Sequence, residues 1–152
     1  MRVDETLAGL AAITCSCAFI PVWASVIVGI VAALAYRGGK FLVDWKFKLD
    51  DALDAVAVHV FAGMWGVLSL GISADGNVAD VRGIIYGDAG QLLAQFICVL
   101  AAFAWAFANG FAIFYALKYT VGVRVTPEQE KAGLDQTYHG VDAYPGLVFE
   151  KE

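Results

Sequence analysis

Three long apolar stretches leave this chain few architectures to choose from. Val22 to Val43, Ala52 to Ile72 and Gln91 to Val121 each supply the roughly 20 predominantly apolar residues that a helix needs to cross a bilayer. In lipid every backbone amide must find its partner inside the chain, so each stretch is read as a helix. The last is longer than a bilayer demands at about 1.5 Å of rise per residue, and is expected to tilt or to project into the cytoplasm. Composition agrees, with 60% of residues hydrophobic and only 16% charged. An ordinary soluble domain is about 45–50% apolar and roughly a quarter charged. With 13% aromatic residues the chain is also unlike a disordered one. The fold class is therefore all-α, multi-pass and integral to a lipid bilayer.

A shorter apolar stretch, Thr6 to Ile20, precedes Pro21. It is too short for a comfortable span, and Asp4 and Glu5 stand where a signal peptide would carry positive charge. It reads as half of a helix, which gives a membrane region over 1–121 (half-helix 6–20, spans 22–43, 52–72 and 91–121) and a tail over 122–152. Arg37, Lys40, Lys46 and Lys48 gather around the connection from the first full span to the second, whereas Arg82 is the single base of the loop from Ser73 to Gly90. By the positive-inside rule the basic loop and the tail, with Arg124, Lys131 and Lys151, face the cytoplasm and the acidic loop faces outside. In the tail, Thr126-Pro127-Glu128-Gln129 spells a helix start with Thr126 as N-cap and Gln129 closing a capping box. Gly133 then supplies a stop, and a short cytoplasmic segment ends in Tyr144-Pro145-Gly146.

Several function classes drop out at this stage. A net charge of −5 is wrong for nucleic acid, whose phosphates call for a basic face. Cys15, Cys17 and Cys98 match no disulfide framework and no zinc pattern. His59 and His139 lie far apart and form no recognisable metal site, and no glycine-rich phosphate loop is present. No nucleophile stands at a workable spacing from either histidine, so neither an enzyme nor a cofactor is expected. Phe103, Phe107 and Phe111, with Trp105 and Phe114, read as a lipid-facing or packing surface.

The informative stretch runs from Asp50 to Gly66. Asp50, Asp51 and Asp54 cluster where a helix begins, and the positive end of its dipole favours carboxylates there. His59 lies roughly 12 Å of helical rise beyond Asp51, at a depth where an ionisable residue calls for a cavity or a partner. Ala55, Gly63 and Gly66 are placed at helical spacing from it and clear side chains from its face. The stripe Ala55, His59, Gly63, Gly66 reads as a narrow lane or as a close helix contact with a satisfied histidine. A neutral imidazole, one donor and one acceptor, suits holding a small polar solute or relaying a proton.

DDALDAVAVHVFAGMWG, from Asp50 to Gly66, resembles the DDxxDxxxxHxxxGxxG signature of the ammonium transporter family (Amt, Mep and Rh proteins). LAGLAAITCSCAFI is similar to that family's eighth helix, and GLDQTYHGVDAY, from Gly133 to Tyr144, to its cytoplasmic GLD…HGExAY element. The resemblance implies a homotrimeric, channel-like transporter of eleven helices per subunit, of which this chain matches the last three and a half plus the tail. His59 matches the second of the twin pore histidines, with Ala55 beside the same lane. Asp51 and Asp54 fall at the cytoplasmic end of that helix, in a structural or proton-exit role. Gly133, Asp135, His139 and Gly140 fall in the regulatory tail. The other histidine, the outer aromatics that recruit ammonium and the phenylalanine gate belong to the part not matched. Two departures stand out. Val60, Phe61 and Ala62 replace a smaller, glycine-rich run, which is expected to narrow or repack the lane. Val141 stands where an acid is usual, which is expected to weaken a tail contact.

Two readings follow. One is passage of ammonium or ammonia across what is expected to be the plasma membrane, through a pore that includes His59. The other is a membrane-embedded sensing or assembly module that works through its tail, binding neighbours or a nitrogen-signalling protein.

Overall fold

The computed structural model describes residues 3–143, so the expected end of the tail at Tyr144-Pro145-Gly146 lies outside the described residues. The chain divides into two compact units, Met1–Trp105 and Ala106–Glu152. Among the described residues there is no β-strand, only the isolated pairing of Asp75 with Arg82. Three helical stretches among the described residues are long and apolar enough to cross a membrane, namely Val22–Lys46, Val56–Ser73 and Ala89–Thr120.

The first unit opens with α1 (Val3–Ser16), whose first turn carries Asp4 and Glu5. The helix stops at Ser16 rather than running to Ile20, and Ile20 itself, just ahead of Pro21, is disfavoured in helical backbone. The amides of Phe19 and Ile20 turn back onto the Ser16 carbonyl, at 2.9 and 3.2 Å. Pro21, in extended conformation, caps α2 (Val22–Lys40), which continues as a π-helical turn over Phe41–Lys46. The amide of Phe47 closes that turn on the Leu42 carbonyl five residues back, at 2.9 Å.

The next span begins later than its apolar run suggests. Asp54 holds a left-handed backbone, φ +53, which ends any helix reaching back to Ala52. The helix starts as a π-helical segment over Val56–Ala62 and tightens into α3 (Gly63–Ser73). After α3, Gly83 N–H donates to the Ala74 carbonyl at 2.8 Å, and Asp75 N–H to the Phe19 carbonyl at 3.0 Å, which ties the loop to the turn after α1. Asp88 caps α4 (Ala89–Thr120) by accepting the amides of Gly90 and Gln91 at 2.8 and 3.3 Å.

The core of this unit is narrow and made of small residues. Ala8, Ala12 and Ser16 of α1 and Ala24, Val28, Ala32 and Tyr36 of α2 are buried at every fourth position, and Ala57, Val58 and Ala62 meet them. Apolar transfer does not drive helices together in lipid, so close approach of small residues does that work. Gly66 is the tightest example, since a Cβ there would stand 2.1 Å from the Ala12 carbonyl oxygen. The buried hydroxyls of Ser69 and Ser73 are satisfied within α3, Ser69 donating to the Gly66 carbonyl at 2.6 Å and Ser73 to the Ser69 carbonyl at 2.8 Å.

The second unit holds the end of α4 and the tail. Phe107, Phe111, Tyr115 and Tyr119 stack down one face of α4 at successive centroid spacings of 6.3, 5.9 and 4.8 Å. The capping box of α5 (Pro127–Ala132) is formed, with Gln129 N–H donating to Thr126 Oγ1 at 3.3 Å and Thr126 N–H to Gln129 Oε1 at 3.0 Å. Gly133, at φ +93, ends α5, and a π-helical turn over Asp135–His139 closes on Gly140 at φ +66.

Candidate functional site

Asp51 builds the start of the helix that bears His59. Its Oδ1 accepts the Ala55 amide at 2.8 Å, and its Oδ2 accepts those of Val56 and Ala57 at 2.8 and 3.3 Å. Three donors that the helix cannot satisfy for itself thus meet one carboxylate, and the charge lies at the positive end of the dipole. His59 sits in the first turn after this cap. The depth expected for an unbroken helix from Asp51 is therefore corrected. The chain spends 51–54 on a cap and a left-handed residue, not on helical rise.

Asp54 serves a different purpose. It is only 7% exposed, and its carboxylate is clamped from α2 by Tyr36, whose hydroxyl donates to Oδ2 at 2.5 Å, and by Lys40, which pairs with Oδ1. Lys40 also reaches Asp44 at 3.3 Å. A buried carboxylate without such partners would be strongly unfavourable, so the clamp accounts for its survival at this depth. Reading along one segment at a time did not find Tyr36 or Lys40. The available signal was one tyrosine in an aliphatic span, a turn ahead of a lysine.

The expected stripe is split. His59 and Ala55 are exposed on the surface of this chain, whereas Gly66 is buried against the backbone of Ala12. Gly63 has only the Val58 carbonyl oxygen near its Cβ position, at 3.9 Å. The π-helical turn is the reason. Its hydrogen bonds skip one more residue than those of an α-helix, which rotates everything after Ala62 relative to His59. The exposed face of Ala55 and His59 and the close contact at Gly66 thus fall on two faces.

Phe61, the bulkiest departure from the family pattern, does not turn toward the His59 face. Its ring lies over Gly39 of α2, where a Cβ would come within 2.4 Å of it. Ala62 is buried in the core and Val60 is half-buried. The added bulk is taken up between α2 and this helix. Trp65 adds a further tie, its indole N–H donating to the Val28 carbonyl at 3.1 Å.

The tail residues are brought together among themselves. The Asp135 carboxylate accepts the Ala143 amide at 2.9 Å, and the amides of Ala143 and Gln136 hold its carboxyl below the usual aspartate range. His139 and Gly140 are exposed at the end of the same turn. Arg124 grips Glu130 through two short contacts, at 2.8 and 3.0 Å, and holds that carboxyl low as well. Among the described residues no group of three or more His, Cys, Asp or Glu side chains is placed to hold a metal ion.

Comparison with known proteins decides the family. The family described as Ammonium Transporter Family matches residues 1–144. This chain belongs to it. It is similar to the ammonium transporter Amt2 of Archaeoglobus fulgidus, at 41% identity over 97% of this chain and 33% of that protein. It is also similar to the ammonium transporter of Bacillus subtilis, at 37% identity over 93% of this chain and 36% of the relative. A third relative, ammonium transporter 1 member 1 of Solanum lycopersicum, is 38% identical over 91% of this chain and 30% of its own length. The chain thus spans about a third of the curated relatives it matches. With its apolar helices, membership in the ammonium transporter family makes it part of a multi-pass integral membrane protein.

Proposed function

We propose that this chain contributes one wall, and the imidazole of His59, to a lane through which ammonium or ammonia crosses a membrane. The observation that carries the reading is the place of His59. It is an ionisable residue on an apolar helix, one turn past a carboxylate cap, facing away from the helices that this chain packs against it. An exposed imidazole on a membrane-spanning helix calls for a polar solute, water or further protein beside it. The names of the relatives supply the solute. Ala55 leaves room on the same face, and Asp51 and Asp54 hold the helix end beside the lane.

In this reading the basic loop around Lys46 and the tail lie in the cytoplasm, the Asp75–Arg82 loop lies outside, and the complete assembly is a trimer in the plasma membrane. A second reading, a tail that engages a neighbouring subunit or a nitrogen-signalling protein, draws support from the capped α5 and the return of Asp135 onto Ala143.

The test is a chimera in which this chain replaces the matching third of Amt2 from Archaeoglobus fulgidus, reconstituted in liposomes with an internal pH indicator. His59→Ala is expected to abolish the ammonium-driven signal or to change its selectivity at an unchanged protein level. Unaltered transport would return His59 to a packing role.

A further inference from the structure

We propose that Tyr36 and Lys40 are positioning residues for His59, acting through Asp54 and the π-helical turn that follows it. The inference rests on the reading of His59 as part of the lane, and concerns what aims it. The segment that bears His59 is held at both ends. At its start, the buried carboxylate of Asp54 is gripped by the Tyr36 hydroxyl and the Lys40 ammonium, both from the last two turns of α2. The Asp54 carbonyl then accepts the Val58 amide at 2.9 Å, so the first turn is built directly on the clamped residue. At the far end, Gly66 is locked by backbone contact with Ala12 of α1. Between these points lies the wide turn Val56–Ala62, whose closing amide, that of Gly63, reaches back five residues to the Val58 carbonyl.

A π-helical turn holds one residue more than the α-helical turn it replaces, and such insertions recur at functional sites. Isolated from other forces, the segment would relax toward α geometry and rotate its residues about the axis. With Asp54 fixed to α2 and Gly66 fixed to α1, that rotation is blocked. Phe61 over Gly39 adds a third point of contact with α2, in the middle of the wide turn. His59 is the residue of this segment that faces outward with a polar ring, so its direction is what the clamp determines.

The experiment uses the same chimera with Cys15, Cys17 and Cys98 changed to Ser, and reads two quantities. One is ammonium-driven flux. The other is the rate at which a small thiol reagent modifies His59→Cys, with Val22→Cys as a control far from the clamp. Tyr36→Phe removes one hydrogen bond and leaves the ion pair, and is expected to lower flux roughly tenfold at unchanged membrane level. It is also expected to change the modification rate at position 59 about threefold or more while leaving the control rate alone. Lys40→Arg, which keeps the charge and the reach, should retain both values, and Arg37→Met, which removes an exposed charge from the same turn, should change neither. If Tyr36→Phe fails to accumulate, Lys40→Met with Asp54→Asn removes the charges together and is read by modification alone. Flux that falls with an unchanged modification rate at 59 would show that the clamp acts elsewhere, and two unchanged values would remove it as a positioning device. A His59→Ala chimera that still transports defeats the transport reading instead, while the modification rate still reports on positioning.

Discussion

The cluster of α1, α2 and α3 and the long helix α4 are both built from apolar helices, yet they differ in how those helices are engaged. In the cluster, every fourth residue of α1 and α2 is buried, and polar side chains close the gaps, with Asp54 held by Tyr36 and Lys40 and the Trp65 indole bonded to Val28. In α4, Val99 is the one buried residue of a helix of 32, which spans roughly 48 Å at 1.5 Å per residue. The small-residue spacing is present there too, at Ala102, Ala106 and Gly110, but these residues stand exposed or half-exposed. Small residues at a spacing of four permit contact without specifying it. What distinguishes the cluster is that several of its openings meet a partner: Ala12 at Gly66, Phe61 at Gly39, and two α2 donors at Asp54.

The largest expected effect breaks this comparison at its tightest point. Gly66→Val drives a side chain into the Ala12 backbone and should cost roughly 3 kcal/mol or more, whereas Gly110→Val, with nothing within 4 Å of its Cβ, should stay within about 0.5 kcal/mol. Thermal unfolding of the two variants in detergent checks the contrast. Equal losses would mean that α4 is as tightly engaged as the cluster. Asp54→Ala comes next, since it leaves Lys40 and the buried Tyr36 hydroxyl facing an empty site. A loss of about 3 kcal/mol is expected, measured in the same way. Asp51→Ala exposes three helix amides and should cost about 1–2 kcal/mol, seen as faster hydrogen exchange at Ala55, Val56 and Ala57. Thr126→Ala removes the corresponding cap in the tail, and the same measurement should show faster exchange in α5 with that of α3 unchanged.

The smallest effect is a pH dependence confined to the tail. The folded Asp135 carboxyl lies below its ordinary value of about 3.8, so protons bind the unfolded tail more readily. The stabilisation is present in full above that ordinary value and is lost as pH falls through the lowered folded one. The amide resonance of Ala143 should therefore hold its position from neutral pH down to about 4 and shift only in more acidic solution. A shift already under way at neutral pH would detach this contact from the ionisation of Asp135.

Much of this chain was legible one residue at a time. Apolar runs announce membrane helices because lipid leaves a backbone no other arrangement, and this holds whatever the neighbours are. The capping box at Thr126 and Gln129 was legible for the same reason, since both partners lie within four residues. The family was legible in the spacing of Asp50, Asp51, Asp54, His59, Gly63 and Gly66, which survives as a pattern without any coordinates. What the pattern did not contain is how that spacing is folded. Treated as one α-helix, Ala55, His59, Gly63 and Gly66 share a face; in the structure a left-handed Asp54 delays the helix and a π-helical turn rotates Gly66 away from His59. Both features are anchored by distant partners, Asp54 by residues 14 and 18 positions earlier and Gly66 by a residue of α1. Local propensity decided where the helices are. Long-range pairing of charge and volume, which only tertiary structure brings together, decided which way the histidine faces.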